Sequence, residues 1–232
     1  MNASWKQSIY GKLVETPDGP ILKGHDYEHT GLSGGIPEKV ILELNHSTIG
    51  PGVDDMTNWL EYKWSNQGGG MALKPVRLDG DAWVVAGRSR GRSEAGEEKG
   101  GRFYTHTHYA CIRAVDYDTT SVLNLFETLC ASPMTAKNHS MPELTLEDKA
   151  RTLEPDWLER ITPILRYTLS GIPFGIKSTK HKLAEFAPLF HLLHTVLPQT
   201  LAWRMGLRIG AEKVHEEDYD HDLVLAWGQT VH

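Results

Sequence analysis

Along the first half of the chain, short apolar runs separated by glycine and proline alternate with polar residues. That is the pattern of strands that bury one face and leave the other wet. Residues 8–14, 40–45, 61–65, 72–78, 82–86 and 102–115 are apolar, aromatic or β-branched and read as strands. Asp79-Gly80 stands between two of these runs and is a strong hairpin signal, so 72–78 and 82–86 are predicted to pair antiparallel. Gly68-Gly69-Gly70 reads as a hinge or tight loop. Residues 89–101 hold Arg90, Arg92, Glu94, Glu97, Glu98 and Lys99 with no large apolar side chain. Burial cannot offset the entropy of ordering such a stretch, so it is predicted to be mobile or to be ordered by a partner.

The period changes in the second half. Val122, Leu125, Phe126 and Leu129 recur at helical spacing behind a Thr or Ser cap, predicting a helix over 120–130. Thr145-Leu146-Glu147-Asp148 reads as the acidic opening of another. Asp156 can cap a helix running to about Ser170, with Leu158, Ile161, Leu165 and Leu169 as its stripe and a kink at Pro163. Residues 182–197 form the most apolar helix, interrupted by Pro188 and stopped by Pro198. Residues 223–227 read as a strand returning to the sheet. Strands followed by helices, without βαβ alternation, repeats or heptads, predict an α+β fold. The expectation is a single domain over 1–232, with a largely antiparallel sheet from 8–115, helices over 120–206 and a closing strand at 223–227.

The formal net charge of −6 argues against a general nucleic-acid binder, although Arg88, Arg90 and Arg92 form a local basic run. No run of about 18 apolar residues would span a bilayer, and the first residues, MNASWKQSIYGKL, lack the apolar core of an export signal. The two cysteines, Cys111 and Cys130, are without CxxC spacing and read as reduced thiols of a cytoplasmic protein.

Histidines supply the candidate chemistry. His106 and His108 are two apart in a predicted strand and so share a face with Tyr104, Ala110 and Ile112. Two imidazoles about 6.5–7 Å apart can bind one zinc ion if a third ligand joins them; otherwise they form a polar seam inside the sheet. His46 and Thr48 match half of the His-x-Thr pattern of two-histidine phosphoesterases, in which histidine moves protons and the hydroxyl holds phosphate. Around His25 and His29 the flanking Asp-Gly-Pro and glycines predict an exposed loop, not a zincin helix. His191 and His194 share one face of the apolar helix and read as core or interface residues. Asp218, Asp220 and Asp222 alternate like a calcium loop but lack its glycine and final glutamate. There is no P-loop and no Gly-x-Ser-x-Gly elbow.

Three short motifs carry a resemblance: Ile9-Tyr10-Gly11 with Gly24-His25, Gly101-Arg102-Phe103-Tyr104-Thr105-His106-Thr107, and Leu192-Leu193-His194-Thr195-Val196-Leu197-Pro198 followed by Arg204. Together with the strand-rich front and helical back, they make the chain similar to the amino-terminal domain of bacterial GTPase-associated proteins of predicted conflict and defence systems. Asp26 and Tyr27 depart from the Arg-Leu that usually follows the early Gly-His of that family. The resemblance implies a cytoplasmic, non-catalytic adaptor that couples a GTPase or effector to its protein partners, without cofactor. The alternative reading from the residues is a hydrolase, either zinc-dependent through His106 and His108 or a divergent phosphoesterase using His46 and Thr48.

Overall fold

The computed structural model describes residues 4–16, 18–22, 24, 26–46, 71–98, 102–117, 125, 128–129, 140–146, 155–170, 174–178, 196–198, 207–211 and 223–227. Its strands are β1 (Ser4–Gly11), β2 (Leu13–Thr16), β3 (Gly19–Leu22), β4 (Glu28–Leu32), β5 (Met71–Leu78), β6 (Asp81–Glu98), β7 (Arg102–Arg113), β8 (Leu144–Thr145), β9 (Phe174–Ser178), β10 (Leu207–Ala211) and β11 (Leu223–Trp227). Two helices are described in full, α1 (Glu38–His46) and α2 (Pro155–Leu169). Nine strands make one sheet in the order β4-β1-β7-β6-β5-β10-β11-β9, with β8 also on β1; β2 and β3 pair separately. From β4 across to β10 every pairing is antiparallel, while β10, β11 and β9 run parallel.

The described part is therefore mostly antiparallel sheet with few helices, in keeping with an α+β or sheet-rich fold. The sheet is not confined to the first half, because β8, β9 and β10 lie within or just beyond the stretch expected to be helical. Residues 223–227 do return to the sheet, but between two parallel neighbours.

Strand alternation sorts the central residues onto two faces. On one, Val76, Trp83, Val85, Tyr109 and Cys111 pack with Ile36 and Val40, with Tyr10, Leu32, Ile41 and Leu78 at the margin. This face is covered by α1, where a strand was expected at 40–45. The run Val40-Ile41-Leu42 is ambiguous between the two forms, and tertiary packing decides it. Ile41 N–H donates to the Pro37 carbonyl at 3.1 Å, closing the first helical turn. Ile36 and Val40, one turn apart, go inward, and Leu42 is left exposed. On the opposite face Trp5, Ile9, Val84, Ala86, Ala110 and Ile112 are buried, and Tyr117 meets Trp5 edge-on with ring centroids 6.0 Å apart. Leu125, Leu129, Leu146, Ile161, Ile164 and Leu197 are the buried apolar residues described in the second half.

Several expectations change with the fold. The segment predicted to be mobile or ordered by a partner, 89–101, is strand through Glu98, its backbone paired with β7. Thr145, expected to open a helix, pairs with Ser4 in β8. Among the described side chains of α2 Ile161 and Ile164 are buried, while Leu169 is 62% exposed, so the stripe ends earlier than its spacing suggests. Leu125 and Leu129 fall in helical backbone and are buried as expected. Residues 61–65, 68–70 and 182–195 lie outside the described residues.

The Asp79-Gly80 turn forms as read: Leu78 pairs with Asp81, and Gly80 has φ +78° with nothing within 4 Å of a built Cβ. Space is available there, so only backbone conformation opposes a side chain. Gly80→Ala should cost about 1–2 kcal/mol and Gly80→Asn distinctly less in urea denaturation; equal costs for the two would show that the turn does not need the left-handed region.

Burial also pushes the Cys111 thiol up to about 12 from its ordinary 9.0, and desolvation likewise raises Tyr109 above its usual range, opposed in part by a hydrogen bond with Thr107. Both groups ionise more readily in the unfolded chain. Their stabilisation is complete below pH 9 and is lost as pH climbs from about 9 towards 12. Thermal melts should show a midpoint falling over that range, and Cys111→Val should flatten the fall.

Candidate functional site

The strand pairing explains why His108 and Gln7 meet. In the β1–β7 register Gln7 stands opposite Ala110 and Ile9 opposite His108, so Gln7 and His108 are diagonal neighbours on one face, within reach of long side chains. His108 is 1% exposed and Gln7 7%, between the apolar Trp5, Ile9 and Ala110. A polar group there must find a partner. The Gln7 amide nitrogen donates to the Pro142 carbonyl at 2.8 Å, and its Oε1 lies 2.8 Å from His108 Nε2. A carbonyl can only accept, which fixes the amide nitrogen towards Pro142 and Oε1 towards the imidazole. Since Oε1 can only accept as well, His108 carries its proton on Nε2.

The Gln7 backbone is tied into the same network. Its N–H donates to Ser33 Oγ at 2.9 Å, its carbonyl accepts from Ser33 N–H at 2.8 Å, and Ser33 Oγ donates to the Pro142 carbonyl at 3.1 Å. Met141 N–H donates to the Leu32 carbonyl at 3.0 Å. Outside this buried centre, Lys6 Nζ lies 2.8 Å from both the Gly34 carbonyl and Glu143 Oε1, and Ser4 Oγ donates to the other Glu143 oxygen. The Lys6 and Ser4 bonds hold the exposed Glu143 carboxyl below its usual range. Together these contacts fasten 140–145 and the turn after β4 onto β1.

A second polar pair lies on the other face. Ser8 Oγ is 2.6 Å from His29 Nδ1, and the His29 ring lies 5.1 Å from that of Tyr10. His29 is thus a half-buried residue of β4 instead of part of an exposed loop. The cause is pairing with β1, where Tyr10 stands opposite His29 across an irregularity in register.

Of the other candidates, His106 shares the face of β7 that carries His108. His106 lies in β7 with Gly11 opposite on one side and Arg90 on the other. His46 ends α1, a helix and not the strand expected before it, because Ile36 and Val40 draw that segment onto the sheet as a helical turn. The helix covers the Tyr109 and Cys111 face, so the sheet stands between it and His108. Thr48, His25, His191, His194, Asp218, Asp220 and Asp222 lie outside the described residues, as does Cys130. Cys111 is a buried free thiol. Among the described residues no group of three or more His, Cys, Asp or Glu side chains could hold a metal ion. A zinc ion could take His108 through Nε2 only by displacing Gln7.

Sequence reasoning picked His108 but missed Gln7, Ser33 and Pro142. One signal was present: Trp5, Gln7 and Ile9 are alternate residues of one strand, so a buried apolar face predicts a glutamine inside it. Its partners are far along the chain and leave no local trace. Comparison with protein-family models, with curated proteins and with solved structures finds no match. Among the described residues no helix is long and apolar enough to cross a membrane.

Gln7→Leu strands the His108 N–H and removes a donor from Pro142, and should cost about 1–3 kcal/mol. Combined with His108→Phe it should be markedly less than additive, since the second change removes the group the first has stranded. Additive losses in urea denaturation would mean that the two side chains are not coupled.

Proposed function

We propose that this protein is a non-catalytic interaction module, an adaptor of a bacterial conflict or defence system that joins a GTPase or effector to its protein partners. The observation that carries this reading is the state of His108. One of the two histidines of the candidate pair, His108, is 1% exposed and engaged through Nε2 with Gln7. A general base or metal ligand needs a lone pair within reach of substrate or ion. The Nε2 of this ring instead carries a proton committed to a neighbour, and the lone pair on its Nδ1 is buried away from solvent. The motif resemblance supports the adaptor role and the choice of a GTPase as partner.

Co-expression with the products of its neighbouring genes should yield a stoichiometric complex that contains a GTPase or effector chain, by size-exclusion chromatography with light scattering. The purified protein should not hydrolyse p-nitrophenyl phosphate or its diester, with or without added zinc. One equivalent of zinc, with a hydrolytic activity removed by chelation and by His108→Ala at matched folding, would overturn the reading in favour of a hydrolase.

A further inference from the structure

The β6–β7 hairpin runs past the rest of its sheet. β5 ends opposite Arg88 and β1 ends opposite His106, and beyond these points the described pairings of β6 and β7 are with each other alone. Register then places Arg88 opposite His108, Arg90 opposite His106 and Arg92 opposite Tyr104. Directly opposed residues share a face, and so do residues two apart on a strand. Three arginines therefore occupy successive positions along one face, about 6–7 Å apart, with His106 and Tyr104 in the adjoining row. No acidic residue falls between Asp81 and Glu94, so this stretch is wholly cationic in a chain whose net charge is −6. Past Arg92 the register breaks, resuming at Glu97 opposite Phe103, and Gly96 takes φ +86° within the break. The ladder is thus bounded by the sheet on one side and by a bulge followed by glutamates on the other. At the same end of the sheet, just past Gly11, Lys12 lies over the Tyr27 ring at 4.7 Å, and β3 comes close to β6.

We propose that this face of the hairpin binds single-stranded nucleic acid, with Arg90 and Arg92 pairing with successive phosphates and Tyr104 stacking on a base. Evenly spaced arginines beside an aromatic residue supply both parts of single-strand recognition, a cationic track for the backbone and a π-face for the bases. An acidic peptide would use the arginines but not the tyrosine, which is what favours a nucleic acid here. The negative charge of the remaining chain confines binding to the arm and makes it strongly sensitive to salt.

The test is fluorescence anisotropy of the full chain with labelled fifteen-residue oligo-dT and oligo-U, at about 20 mM and about 200 mM salt. Saturable binding at low salt is expected. R90Q/R92Q should weaken it by about tenfold or more and lower the slope of log affinity against log salt by about 1.4, or 0.7 for each phosphate no longer neutralised. R90K/R92K, which keeps the charge, should restore most of that slope. Y104L should weaken binding several-fold at unchanged slope, and Y104F should not. Thermal melts confirm that each variant is folded; if R90Q/R92Q does not fold, R90K/R92K and Y104L decide the outcome. The proposal is overturned by absence of binding at low salt, by binding indifferent to R90Q/R92Q or Y104L, or by equal competition from polyglutamate of matched charge.

Discussion

The register of β1 on β7 is the constraint on which the rest of the structure depends. Each of the two strands buries one face under apolar residues and the other under α1, and a slip of one residue would exchange those faces entirely. In the observed register Trp5, Gln7 and Ile9 share a side with His108, Ala110 and Ile112, while Tyr109 and Cys111 go to the α1 side. The two polar side chains left on the apolar side lie one diagonal step apart, close enough to satisfy each other. A slipped pairing would leave both without a partner in the core. The Gln7–His108 bond thus penalises the wrong register more than it stabilises the right one, since a made hydrogen bond is worth less than an orphaned buried group costs.

From that bond the structure extends outward. Gln7 holds Pro142, Ser33 holds Gln7 and Pro142 together, and Lys6 and Ser4 hold Glu143 at the rim. A segment more than a hundred residues distant in sequence is thereby fixed to the first strand, and β8 can pair with Ser4 and Trp5. The exposed Lys6–Glu143 pair contributes little alone; the buried amide contacts are what bind the two parts of the chain. The centre of the sheet is thus buried and hydrogen-bonded, and the β6–β7 hairpin extends beyond the paired edges of β1 and β5.

What the sequence made legible follows from where each signal resides. The β5–β6 turn could be read because its cause is local: Asp79-Gly80 carries its own backbone preference. Strands β5 and β7 were legible through alternation, and the antiparallel character of the front half followed from them. Residues 40–45 misled because three consecutive apolar residues fit either a strand or a helix, and only the sheet face waiting for Val40 decides between them. Residues 89–98 misled because an apolar count is blind to backbone pairing, which is what orders β6. Strands β9 and β10 are five residues long and take their form from distant neighbours. At the site, His108 stood out because its residue type is chemically rich, whereas Ser33 and Pro142 are ordinary residues made important only by the pairing of β1.

The central claim is that His108 is a structural hydrogen-bond donor to Gln7. A long-range proton–nitrogen NMR spectrum of the histidine side chains, with His108→Phe used for assignment, tests it most directly. The expected result is a His108 ring protonated at Nε2, with a ring proton slow to exchange with solvent and shifted from its position in Gln7→Leu. A His108 ring with an unprotonated Nε2, or one whose signals move on adding zinc, would contradict it.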